Sequence, residues 1–369
     1  MPFLDATELR RRLDRLAAWW RGDLAEGPLV QVSVPPDRET AERLQRKHRP
    51  PVEDADALFR WWTDPAVVLP RVEETLEART YLGDLWPHHF LNLGPGALAA
   101  FMGCRTVPQA TTLWQERLID DWAATPELVL HEDNPWWLAA QELTTASIAA
   151  SGGRWLTSFT DIGGAMDITS YFRTPERLCM DLIEHAAEVR RSEEAVLKAW
   201  FQVYDRLYPQ LHAASGGSCG WIGLWYPGRT YPLQCDFSCM ISPEMFGEHG
   251  LPFLVRQAAG LDNAIYHLDG PGAVRHVDAI CQVPHIRAIQ WVPGAGAGHA
   301  VADWLDLYRR ILDHGRGVLV YCTGDELDLI FDRLDVDRLI LGIGARDLAE
   351  GERIMARIDR LRRGRKRVQ

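Results

Sequence analysis

The last third of the chain repeats one unit four times. Asn263 to His267, Ile286 to Val292, Gly317 to Cys322 and Arg338 to Ile343 are short apolar runs. Each leads into a helical pattern: Ala273 to Cys281, Ala300 to His314, Glu326 to Leu334 and Leu348 to Leu361. A strand then a helix, at a period of roughly 25–30 residues, is the signature of a parallel sheet covered by helices. Parallel neighbours cannot be joined by a tight turn, so the helix is the crossover that the sheet requires.

Four further strands are expected upstream: Leu29 to Val34, Trp86 to Leu93, Trp155 to Phe159 and Cys219 to Trp225, the last followed by a long loop, Tyr226 to Ser242. Eight such units closing on themselves make a TIM (β/α)8 barrel. The expected fold is therefore α/β, a single barrel domain over 1–369, with an N-terminal helical extension (1–28) and a helical elaboration (97–150). In the extension, Leu9, Leu13, Leu16 and Trp20 recur at helical spacing, behind Asp5 or Thr7 as a cap. A doubly wound open sheet is the alternative. Against it, no glycine-rich nucleotide fingerprint follows the first strand, and Gly342-x-Gly344 lacks the third glycine.

Hydrophobic residues make up 47% of the 369, enough for a large core without disulfides. The net charge of -11 argues against a partner bound through its phosphate backbone, and no nucleic acid is expected. The Arg360 to Arg367 tail reads as a solvated helix end. Seven cysteines without a C-x-x-C pair fit a reducing, cytoplasmic compartment. No apolar window is long enough to span a membrane. Fifteen tryptophans are mostly core, and the aromatic excess points to a homodimer.

In a barrel the chemistry sits at the carboxyl ends of the strands. The residues expected there are Asp161 after the third strand and Trp225, Tyr226, Arg229, Gln234, Cys235 and Asp236 after the fourth. His267 and Asp269 end the fifth, Gln290 and Trp291 lie on the sixth, and Cys322 ends the seventh. His267-Leu268-Asp269 places two ligating side chains on one face of an extended segment, just before Gly270-Pro271-Gly272. Two readings stay open. In the metal reading His267, a carboxylate from Asp269 or Asp236, and a thiolate from Cys322 or Cys235 hold zinc with one position free. In the other, Asp161, Asp236 or Asp269 is a general acid or base and His267 a proton shuttle. Gln234, Gln290, Arg229, Trp225, Tyr226 and Trp291 then form the substrate contacts. A bland role also exists for Asp161, as an Asx-type turn onto Gly163 and Gly164.

Three stretches carry a resemblance: PLQCDFSCMISPEMFGEHGLPFL from Pro232, YHLDGPGAVRHVDAI from Tyr266 and AIQWVPGAG from Ala288. They resemble the uroporphyrinogen decarboxylase-like superfamily of TIM barrels. It contains the decarboxylases and the cobalamin-dependent methyltransferases that pass a methyl group from a corrinoid to a thiol. The resemblance implies zinc as a cofactor, a corrinoid carried by a partner protein, and methyl transfer as the activity. The methyltransferases hold zinc through His-x-Cys at a strand end and a later Cys. Here His267 matches the His, but Asp269 stands in the place of the Cys. The late Cys is absent from Leu341-Gly342-Ile343-Gly344-Ala345. The decarboxylases hold substrate carboxylates on an early Arg cluster, and LVQVSVPPD lacks it. The expected enzyme is thus a divergent branch: a methyltransferase-type activity first, a metal-free decarboxylase of a small acid second, a non-catalytic binding barrel third.

Overall fold

The computed structural model describes residues 3–24 and 26–365. Arg367, in the basic tail, lies outside them. The fold is mixed α/β with a parallel central sheet. Among the described residues the strands are β1 (Leu29–Val34), β2 (Thr80–Gly83), β3 (His88–His89), β4 (Thr106–Pro108), β5 (Leu113–Gln115), β6 (Leu156–Thr157), β7 (Ser218–Cys219), β8 (Trp225–Tyr226), β9 (Thr230–Gln234), β10 (Asn263–Asp269), β11 (Ile286–Val292), β12 (Gly317–Cys322) and β13 (Leu339–Gly344). The main sheet runs β2-β1-β13-β12-β11-β10-β9. Every neighbour is parallel except β2, which runs antiparallel to β1. β3 and β6 form a separate parallel pair, and the Phe159 amide beyond β6 donates to the Cys219 carbonyl of β7 at 2.9 Å.

The four expected βα repeats are all present, because each apolar run is long enough to form a buried strand and each is followed by a helical pattern. The fourth strand differs from expectation. The segment that pairs with β10 is β9, Thr230–Gln234, which falls inside the expected loop. Cys219 and Trp225 instead pair with each other, as the antiparallel β7–β8. The apolar run around Cys219 drew the reading; Thr230-Tyr231-Pro232 hid the strand, since proline weakens a strand signal.

Alternation along the strands splits the side chains between two faces. Val30, Val32, Val318, Val320, Leu339 and Leu341 point to one face and join the large core under the helices. Leu29, Ile265, Ala288, Leu319 and Ile340 point to the other and form a second core with Leu9, Leu13, Leu16 and Trp19. Those four lie on the helix Ala6–Arg21, which therefore covers the inner face at the amino ends of the strands. Asp5 caps this helix through the Glu8 amide at 2.8 Å, and Gly22 ends it in the left-handed region. Arg15 pins it, bonding buried Asp84 at 2.6 Å, while Asp84 also accepts from the Val30 amide at 3.0 Å. Trp20 donates to the Trp225 carbonyl at 3.1 Å. One end of the inner face is thus sealed, and the polar residues collect at the other.

The stretch 97–150 holds the short helix Ala97–Phe101, the β4–β5 hairpin and the helix Pro135–Ser151. Asn134 caps the last by accepting from the Trp136 and Trp137 amides. No helix among the described residues is long and apolar enough to cross a membrane.

Candidate active site

Strand register brings the first polar layer together. His267 lies opposite Gln234 of β9 on one side and Gln290 of β11 on the other. Residues opposite each other in a ladder project to the same face, so the three side chains share the inner face above the hydrophobic seal. His267 Nδ1 lies 2.7 Å from Gln290 Oε1. An amide oxygen only accepts, so Nδ1 carries the proton and Nε2 presents its lone pair. Gln290 Nε2 in turn donates to the Tyr321 hydroxyl at 2.7 Å. Tyr321 faces Gly342 across the ladder, and a Cβ there would stand 2.8 Å from its ring. The Trp221 ring meets the imidazole edge-on, with centroids 5.1 Å apart.

The second layer is acidic. Asp269 ends β10, and Asp236 follows β9 by two residues. One ligand atom each from Asp236, His267 and Asp269 lie within 4.8 Å of one another. Asp236 Oδ1 is buried with no hydrogen-bond partner. Two more carboxylates approach from the strand β6 side. Asp161 accepts from the Gly163 amide at 2.9 Å, as its Asx-turn reading expects. Asp167, in the first turn of the helix Ala165–Arg173, accepts from the Phe237 amide at 2.9 Å through Oδ1, and its Oδ2 has no partner. That helix start lies hard against β9: a Cβ on Gly164 would stand 2.2 Å from the Gln234 carbonyl oxygen. Only glycine permits this approach.

Burial disfavours the charged form of each acid, and their mutual repulsion adds to it. Burial, then Asp167, pushes Asp161 up to about 6. Burial, then Asp236, pushes Asp167 up to about 7. Burial, then Asp269 and Asp161, pushes Asp236 up to about 7. A divalent cation would relieve this repulsion. The donor set of one imidazole and two carboxylates, with an orphan oxygen aimed inward, suits zinc or a harder divalent ion.

The structure sorts the residues expected from sequence. It brings together Asp161, Asp236, His267, Asp269, Gln234 and Gln290. Cys235 and Cys322 do not join the metal cluster. Cys235 alternates with Gln234 and belongs to the outer core, and burial pushes its thiol far up. Cys322 alternates with Tyr321, and burial, then Glu326, pushes its thiol up to about 12. Both are poor thiolates in these settings. Trp291 alternates with Gln290 and packs on Trp304, with centroids 4.7 Å apart. Trp225, Tyr226 and Arg229 precede β9 rather than follow it, so they sit at the amino end of the strand. Trp225 is fully buried in the lower core, Tyr226 meets Trp20 at 6.5 Å, and Arg229 bonds Asp205 at 2.5 Å and the Gly260 carbonyl at 2.8 Å. None of these three lies with His267 and the carboxylates at the carboxyl end; the misplaced fourth strand put them in the expected site.

Three site residues lay outside the sequence expectation: Asp167, Trp221 and Tyr321. Tyr321 was within reach, because it alternates with Cys322 and shares the face of Leu319. Asp167 had a weaker signal, the Gly163-Gly164 pair just before an acidic first turn. Trp221 sits between short strands and had none.

No family model matches the chain, and no curated protein matches it. Among solved structures, a methyltransferase from Methanosarcina mazei matches with a TM-score of 0.58, over 96% of this chain and 98% of that one, at 11% identity. At that identity the likeness shows the fold: a methyltransferase-like α/β architecture spanning nearly the whole chain.

Proposed function

We propose that the chain is a methyltransferase-type enzyme, a divergent relative of the uroporphyrinogen decarboxylase-like barrels, in which β3 and β6 join the six parallel strands of the main sheet in a closed eight-stranded circuit. Asp236, His267 and Asp269 hold a divalent metal, zinc in the first instance, and a methylated corrinoid on a partner protein is the donor. The observation that carries this reading is the convergence of those three donors, with His267 already committed through Nδ1. The match in fold to a methyltransferase supports it.

When bound, the metal supplies Lewis-acid activation of a thiol or similar acceptor. The chain's residues do the rest. Gln290 fixes the imidazole tautomer, and Tyr321 fixes Gln290. Trp221 packs edge-on against the imidazole and limits its rotation. Asp167, with its carboxyl pushed up to about 7, is part-protonated at neutral pH and can exchange a proton with an acceptor, while Asp161, pushed up to about 6, is mostly ionised there.

Those raised carboxyls also favour the second reading, a metal-free carboxy-lyase in which one of them protonates a developing carbanion. Of the two anchors for a substrate carboxylate in that reading, His267 and Arg229, the second lies at the opposite end of the strand, which leaves His267. Free methylcobalamin with a small thiol, followed by its absorbance change, separates the two. Demethylation that a chelator abolishes and zinc restores is expected. Decarboxylation of a small acid, indifferent to chelator, would replace the first reading by the second.

A further inference from the structure

Two buried carboxylates of this protein are neutralised in place: Asp84 is paired with Arg15 at 2.6 Å and Asp181 with Arg173 at 2.6 Å. The site carboxylates, like the buried Glu193, have no such partner among the described residues. The strongest influences on Asp161, Asp167 and Asp236 are burial, one another, Asp269, His267 and backbone amides; no Arg or Lys is among them. A metal on Asp236, His267 and Asp269 leaves Asp161 and Asp167 still without a cation.

A second observation points the same way. Gln234 is only 6% exposed, and its Oε1 has no partner, although it sits beside His267 on the inner face. Asp167, also 6% exposed, leaves Oδ2 without a partner. Asp167 Oδ2, Asp236 Oδ1 and Gln234 Oε1 are thus buried acceptors without a donor, and Trp221 Nε1 beside His267 is a donor without an acceptor. A buried acceptor without a donor is costly, and a charged donor suits a carboxylate best. A negatively charged substrate would add repulsion, and a neutral one would leave the charge unbalanced. Aromatic surface lies alongside. Trp221 meets His267, and Tyr171 is close enough to feel the charges of Asp167, Asp161 and Asp236. Aromatic faces favour the alkyl part of an alkylammonium.

We propose that Asp161, Asp167 and Gln234 form a subsite for a protonated primary or secondary amine, and that the substrate carries such a group. The proposal rests on the active site described above and names the substrate class it takes. The test is calorimetric titration at pH 7.5 with n-propylammonium chloride, 1-propanol and sodium propionate, on zinc-loaded and on chelator-treated protein. Zinc content is measured on the same samples. Propylammonium is expected to bind about tenfold more tightly than propanol, with propionate weaker still. Asp167→Asn keeps an acceptor for the Phe237 amide and is expected to erase the preference; Asp161→Asn is a second variant should the first not fold. Equal binding of propanol, tighter binding of propionate, or a preference that survives in a folded variant would overturn the subsite. So would magnesium chloride binding in an Asp167-dependent way while the amine does not. Zinc without amine preference sinks the subsite and leaves the metal centre. Amine preference without zinc does the reverse.

Discussion

His267 and Gln290 sit opposite each other on β10 and β11, and the 2.7 Å contact from Nδ1 to Oε1 decides which imidazole nitrogen faces the carboxylates. The same contact is a lever. Gln290→Leu keeps much of the side-chain bulk but removes the acceptor. Zinc affinity is expected to fall about 10–100-fold, the usual effect of losing a partner behind a ligating His. A competing chromophoric chelator measures this. Imidazole nitrogen shifts should move toward mixed tautomers in the same variant. An unchanged affinity would mean that Nδ1 is not held by Gln290.

A correction to the sequence reading makes its own prediction. Trp225 lies in the lower core with Leu13, Leu16 and Ile265, away from the carboxyl ends of the strands. Trp225→Ala is expected to cost about 3–5 kcal/mol in urea denaturation, as large core truncations do. Zinc affinity should not change. A weakened zinc site with little loss of stability would restore Trp225 to the active site.

That correction shows what was legible in the chain and what was not. The four C-terminal βα units, the helix Ala6–Arg21 and the pairing of His267 with Asp269 rest on local pattern, which a sequence carries directly. Asp236 and Gln234 were also named, although from a strand placed about ten residues too early. The error fell at β9, where Pro232 interrupts the strand signal and only pairing with β10 reveals it. Cys235, Cys322 and Trp291 were chosen for residue type. Alternation, applied from His267 outward, turns all three to the far face and turns Tyr321 inward. Asp167 depends on a close approach between a helix start and β9, a tertiary fact made possible by Gly164.

The raised carboxyls set a pH dependence. Asp161, Asp167 and Asp236 start from a usual value of 3.8 and rise to about 6, 7 and 7. Between those values the folded protein binds more protons than the unfolded chain, so stability falls as pH rises. The loss begins near pH 4 and is complete a little above pH 7, on the order of a few kcal/mol. Chelator-treated protein should show this fall in its melting temperature, and Asp167→Asn should show less of it. Added zinc competes with these protons, so its stabilisation should grow over the same range. A melting temperature that rises from pH 4 to 7 by the same amount in both proteins would contradict the assignment.

Glu193, behind the helix that carries Asp167, offers a further check. It is fully buried in the helix Ala186–Ser215, with neither carboxylate oxygen partnered, and burial pushes it up to about 8. Above that pH the wild type must charge a buried, unpartnered group. Glu193→Gln is expected to be more stable than wild type at pH 9 by about 1–3 kcal/mol, and close to it at pH 6. Urea denaturation at the two pH values measures this. An equal difference at both would show that the carboxyl does not titrate in the fold.

The most direct measurement is metal content by mass spectrometry, on protein purified without chelator or affinity metal, wild type beside His267→Ala. About one zinc per wild-type chain, lost in the variant while the fold is kept, is the expected result. Zinc retained by a folded His267→Ala, or a wild type that binds none even when zinc is supplied, would contradict the metal centre on Asp236, His267 and Asp269.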